Sequence, residues 1–227
     1  MRYFGLVCAV VATLCGPAKA EDWTGFYAGI LAGGGKTFGD VGDSIATGRG
    51  RADADPLELG GYAGGSVEVA EGVVAGLEGQ FLVKLGRNPT ESVGPSSVPA
   101  FGLGQPDMTS RWEAFLTGRV GFAPSESLLL FASTGLAAAE FSLDDLPCPS
   151  RCSGFQLSGR DVFGGTRFGY TIGLGADYAL DEHMSIRGQY QFADYGRLET
   201  RDDYNTNVAW SSFNTHTLIW GLAYHLE

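Results

Sequence analysis

Phe168-Gly169-Tyr170-Thr171-Ile172-Gly173-Leu174-Gly175-Ala176-Asp177-Tyr178 is followed, after Ala179 and Leu180, by Asp181-Glu182-His183-Met184 and then Ser185-Ile186-Arg187-Gly188-Gln189-Tyr190-Gln191-Phe192. In the first run Tyr170, Ile172, Leu174, Ala176 and Tyr178 share one face, against Thr171, Gly173, Gly175 and Asp177. In the second, Ile186, Gly188, Tyr190 and Phe192 oppose Arg187, Gln189 and Gln191. Strict period 2 predicts strand, so the stretch is a hairpin closed by a polar turn. Strands of about ten residues with an apolar face and aromatic ends fit tilted membrane crossings. A soluble sheet produces the same alternation, so the rest of the chain decides.

Glycine is the commonest residue, at 35 of 227. Gly with aromatics points to tightly packed β-structure and away from a helical core. No apolar run beyond residue 20 is long enough for a membrane helix. A membrane location therefore requires a closed barrel.

Residues 1–20 read as a secretory leader: Arg2, an apolar run from Phe4 to Leu14, and Ala18-Lys19-Ala20 as the small-x-small pattern for cleavage after Ala20. The mature domain is 21–227. Losing Arg2 and Lys19 deepens a formal net charge that is already −11. So acidic a chain is a poor nucleic-acid binder, because phosphate contacts need Lys and Arg. Cys8 and Cys15 fall in the leader. Cys148 and Cys152 remain, and in an exported chain they predict a short disulfide that stiffens one loop. The histidine nearest to them in sequence is His183, so a zinc site is not expected there.

Eight strands are predicted: Gly25–Gly34, Gly61–Val69, Val73–Val83, Arg111–Phe122, Leu128–Phe141, the two that open this section, and Thr215–Leu226. The fifth is apolar on both faces and its inward side is unassigned. Ile219 falls on the polar side of the last. Turns at Ala70-Glu71-Gly72, Pro124 to Ser127 and Asp181 to Met184 are short. The intervening segments, 35–60, 84–110, 142–166 and 193–213, are long. This asymmetry predicts an all-β, eight-stranded, antiparallel up-and-down transmembrane barrel with short periplasmic turns and long extracellular loops. Phe26, Phe122, Tyr178 and Tyr224 then form one aromatic belt. Phe81, Trp112, Tyr170, Phe192 and Phe213 form the other.

Asp22-Trp23-Thr24-Gly25-Phe26-Tyr27-Ala28-Gly29 resembles the opening of small alphaproteobacterial outer-membrane β-barrel proteins, the porin-family or OmpA-like surface antigens. Gly169 to Tyr178 resembles that family's Gly-Trp-Thr-x-Gly-x-Gly-x-Glu-Tyr. Gln189 to Gly196 resembles its Glu-Tyr-x-Tyr-x-Asp-x-Gly, and Arg119-Val120-Gly121-Phe122 its fourth strand. Asp177 and Gln189 stand where the family usually has Glu. The chain ends in Leu226-Glu227 where the family ends in an aromatic residue read by the barrel-insertion machinery. The resemblance implies an outer-membrane location, with lipid, lipopolysaccharide and that machinery as partners, and a host or environmental ligand at the loops.

Glu68, Glu78, Glu113, Arg119, Asp177, Arg187 and Gln189 lie on the polar faces. Turned inward, they meet in a lumen that eight strands make just wide enough for side chains to fill. Opposite charges there pair, because an unpaired buried charge is costly. The expectation is a polar plug with Glu78–Arg119 as its leading pair; a selectivity lining for a narrow channel is the alternative. A soluble ligand-carrying periplasmic barrel would need the apolar faces inside. Gly33-Gly34-Gly35-Lys36-Thr37 lacks phosphate-loop spacing. His216, with Ser211 and Ser212 nearby, is explained equally well as a polar rim residue. Asp40, Asp43, Asp53, Asp55, Asp202 and Asp203 could share divalent cations with lipopolysaccharide, but solvated loop charge is the simpler account. No catalytic residue, resident metal or cofactor is assigned.

Overall fold

The computed structural model describes residues 23–43, 49–54, 57–85, 107–144, 165–201 and 208–226. The leader with its cleavage point after Ala20, the Cys148–Cys152 pair, and Asp55, Asp202 and Asp203 lie outside these residues. So do the side chains of Asp40, Asp43 and Asp53.

The strands in chain order are β1 (Gly25–Asp43), β2 (Arg49–Ala54), β3 (Leu57–Ala70), β4 (Val73–Leu85), β5 (Asp107–Ser125), β6 (Leu128–Asp144), β7 (Gly165–Ala179), β8 (Met184–Arg201) and β9 (Val208–Leu226). β1 and β3 to β9 each pair antiparallel with their neighbours. β1 closes on β9 from Phe26↔Leu226 to Asp43↔Ala209, giving a closed eight-stranded barrel. β2 pairs only with the upper part of β1, Thr37↔Ala54 to Gly42↔Arg49. The strands run past the sequence-predicted limits into the segments expected to be loops. In β3 and β4 the alternation continues with the pairing: Leu57, Leu59, Val83 and Leu85 point outward on either side of the buried Glu58 and Lys84.

The three short turns lie at one end. Gly72 has φ +70°, a left-handed conformation that glycine adopts without strain. Its amide donates to Glu68 Oε1 at 2.9 Å. At the β7–β8 turn, Asp181 Oδ1 accepts from the amides of His183 and Met184 at 2.8 and 2.9 Å, the local bonding that favours Asp in turns.

Side-chain parity sorts the wall. Outward go Phe26, Ile30, Leu77, Val120, Leu136, Phe168, Ile172, Leu174 and Trp220, all largely exposed. Inward go Tyr27, Tyr62, Gln80, Thr117, Thr171, Gln191 and Thr217, all buried. An apolar exterior around a polar interior is the membrane-barrel arrangement, the reverse of a soluble ligand carrier. β6 turns Leu129, Phe131, Ser133, Ala137, Ala139 and Phe141 inward. Ile219 is fully buried inside.

The belts differ from expectation at one position. Phe81 and Trp112 stack outside at 5.9 Å, and Tyr170 meets Phe192 edge-on. Phe213 instead faces inward, 4.8 Å from the parallel ring of Phe141. It belongs to an apolar layer that fills the upper lumen.

Candidate functional site

Four charged side chains form the centre of the lumen. Asp177 and Arg187 are cross-strand partners on β7 and β8. Arg187 Nε donates to Asp177 Oδ1 at 2.7 Å and Nη2 to Oδ2 at 3.0 Å, the two-pronged geometry that suits a guanidinium. Arg187 Nη1 reaches both oxygens of Glu78 on β4, each at 2.7 Å. Arg119 on β5 donates to Glu78 Oε2 at 3.1 Å and to Asp177 Oδ2 at 2.7 Å. Two cations therefore interlock with two anions, and all four carboxylate oxygens are engaged. Each of these residues is at most 5 % exposed, so satisfaction decides whether the group is tolerable.

Aromatic groups complete the cage. The Tyr27 hydroxyl donates to Glu78 Oε2 at 2.6 Å and accepts from Arg119 Nη1 at 3.1 Å. Arg119 Cζ lies 4.2 Å from the centre of the Phe131 ring and Arg187 Cζ 4.4 Å from that of Tyr62, so both cations meet π-systems. Glycine makes room for the rings. A Cβ on Gly64 would stand 2.5 Å from the Tyr27 hydroxyl, and one on Gly175 2.5 Å from Phe131.

Above this cage runs a neutral relay. Gln80 donates to Glu78 Oε1 at 2.7 Å and to Gln189 Oε1 at 3.3 Å. Gln189 donates to Gln191 at 2.8 Å, and Gln191 to Thr171 Oγ1 at 3.1 Å. Higher still, Lys84 Nζ lies 2.7 Å from Glu113 Oε1 and 3.5 Å from Glu58 Oε1. It also donates to Thr37 Oγ1 at 3.3 Å. Glu58 Oε2 and Glu113 Oε2 have no hydrogen-bond partner among the described residues. This upper group carries two carboxylates for one ammonium.

Of the residues singled out in the sequence, Glu78, Arg119, Asp177 and Arg187 meet in one cluster and Gln189 joins it through Gln80. Glu113 belongs to the upper group. Glu68 is a correction. It is exposed at the short-turn end, where it bonds the Gly72 amide at the irregularity between Glu68 and Ala70. Its parity matches the lumen face, but it sits too low to enter. Tyr27, Gln80 and Gln191 share the inward parity and were legible by it. Glu58 and Lys84 were not, because they lie beyond the predicted strand ends. His216 faces outward, and its Nδ1 is 2.6 Å from the Tyr190 hydroxyl. Among the described residues, no group of three or more His, Cys, Asp or Glu could hold a metal ion.

The family model described as the outer membrane protein beta-barrel domain matches residues 6–225. The chain belongs to this family. It is 29 % identical to a 31 kDa outer-membrane immunogenic protein of Brucella melitensis, over 94 % of this chain and 88 % of the relative. The same values hold for the Brucella suis protein of that name. Among solved structures, the barrel resembles the outer membrane protein OprG from Pseudomonas aeruginosa. That match has a TM-score of 0.53 and 15 % identity, covering 92 % of this chain and 99 % of that one. Neisserial surface protein A matches with a TM-score of 0.50 and 13 % identity, over 89 % and 98 % of the two chains. At such identities these structures speak for the fold alone. Membership of the outer-membrane family accounts for the apolar exterior and places the barrel in the outer membrane.

Proposed function

We propose that this outer-membrane barrel is a structural component of the Gram-negative envelope, closed to solutes, which meets its surroundings through its long extracellular connections. The observation that carries the proposal is the ion pair between Glu78 and Arg187. It joins β4 to β8, opposite walls of the barrel, and leaves a diffusing solute no free path between them. The immunogenic Brucella relatives support a surface role for the connections. Export by cleavage after Ala20 and a Cys148–Cys152 disulfide belong to the same proposal. No catalytic role is included.

A deletion strain tests this against a channel role. Loss of a structural barrel raises sensitivity to detergents and leaves small-solute uptake unchanged. Loss of a channel slows uptake and leaves detergent sensitivity where it was. The second pattern would overturn the proposal.

A further inference from the structure

In the upper lumen one ammonium faces two carboxylates. Lys84 Nζ meets Glu113 Oε1 and Glu58 Oε1. The second oxygen of each acid, Oε2, has no hydrogen-bond partner among the described residues, and neither does the Tyr195 hydroxyl. Glu58 is 1 % exposed, Glu113 0 % and Tyr195 5 %, so bulk water does not stand in for the missing partners. Tyr195 lies beside both acids and Thr215. Three stranded polar groups therefore share one enclosed space, and their net charge with Lys84 is negative.

The surrounding strands supply no second cation. Thr37 on β1, Ala139 and Phe141 on β6, Tyr195 on β8, and Phe213 and Thr215 on β9 are buried and uncharged. On β7, Arg167 shares the cross-strand row of Glu113 and Ala139, but it is only half-buried and makes no ion pair with either acid. Arg111, on β5 with Glu113, is exposed. The buried cations below, Arg119 and Arg187, are held by Glu78 and Asp177. Two carboxylates in one buried site do not both stay ionised without matching positive charge. A hard metal ion takes about six oxygen ligands and would stand against the Lys84 ammonium. A proton needs no ligand shell, and it turns one stranded acceptor into a donor for the others.

We propose that Glu58 and Glu113 form a binding site for one shared proton, which makes the upper lumen neutral and supplies the donor that their outer oxygens lack. The proposal concerns this group alone and holds whether or not the barrel conducts.

The test is infrared spectroscopy of the full chain in lipid vesicles at neutral pH, with heat-modifiable gel mobility to confirm that each variant is folded. The wild type should show the carbonyl band of a protonated carboxyl, shifted in heavy water. Glu58→Gln and Glu113→Gln, which keep the side-chain shape, should each abolish it, because the remaining acid then has Lys84 to itself. Glu68→Gln, at the exposed turn, should leave it in place. A proton count supplies the second measurement. Urea unfolding in weakly buffered solution with a pH-sensitive dye should release one more proton from the wild type than from Glu58→Gln, since both acids ionise in the unfolded chain. A band that survives either lumen substitution, or equal proton release from the two proteins, would overturn the proposal. So would a wild type without the band whose stability rises when sodium or potassium replaces choline, which assigns the site to a metal cation instead.

Discussion

Arg187 on β8 and Glu78 on β4 reach toward each other from opposite sides of the barrel, and Arg187 holds both Glu78 carboxylate oxygens at 2.7 Å, although 109 residues separate the two in sequence. The pair cannot form unless the sheet closes, so it reports the fold and fills the lumen at once. Replacing Arg187 by Met leaves Glu78 and Asp177 short of a cation in a buried site. The expected cost is about 3–5 kcal/mol, the usual penalty for breaking a buried ion pair from one side. Urea unfolding in detergent micelles measures it. Arg119→Leu should lower the unfolding temperature by the same mechanism, and a fully stable Arg119→Leu would count against the plug.

The upper group behaves differently, because Lys84 serves two carboxylates. Glu58→Gln removes the surplus charge and keeps the shape, so stability at neutral pH should hold or rise. Lys84→Met leaves both acids unpaired and should cost about 3–5 kcal/mol. Thermal unfolding of the two variants side by side checks the opposite signs.

The Gly64–Tyr27 and Gly175–Phe131 contacts leave no room for a methyl group. Gly175→Ala forces the Phe131 ring off Arg119 and Arg187, and Gly64→Ala displaces the Tyr27 hydroxyl from Glu78. Overpacking of this kind costs about 1–3 kcal/mol. Slower folding into vesicles and a lower unfolding temperature are expected for both.

Depth should govern substitutions on the outer face. Leu174 lies midway between Tyr170 and Tyr178 and is 61 % exposed to lipid. Leu174→Arg should cost about 2–4 kcal/mol, and Tyr170→Arg at the rim about 0–1 kcal/mol. Equal costs at the two positions would put the apolar band elsewhere on the wall.

The hairpin from Phe168 to Phe192 was legible because one face is apolar and the other polar, and the structure pairs Asp177 with Arg187 directly across it. β6 was not, because the lumen has apolar layers of its own: Leu129, Phe131 and Phe141 face inward while Leu130 and Leu136 face lipid. Phe213 was read as a belt residue for the same reason, whereas Ile219 already fell on the inward side by parity and is buried there. Parity gives the face of a residue but not its height, and for that reason Glu68 read as a lumen group and sits at the turn. Glu58 and Lys84 fell outside the predicted strands although Leu57, Leu59, Val83 and Leu85 carry the outward apolar alternation past them; a charge between two apolar residues was the signal there. The cross-lumen bonds of Arg187 to Glu78 and of Gln80 to Gln189 depend on closure, which no local pattern encodes.

Single-channel recording in planar bilayers tests the closed lumen most directly. The unmodified barrel should show no discrete openings. A Glu78→Ala/Arg187→Ala variant, which removes both ends of the bridge across the lumen, should show small openings that are absent without it. Steady conductance from the unmodified barrel, unaltered in that variant, would contradict a lumen held shut by Glu78 and Arg187.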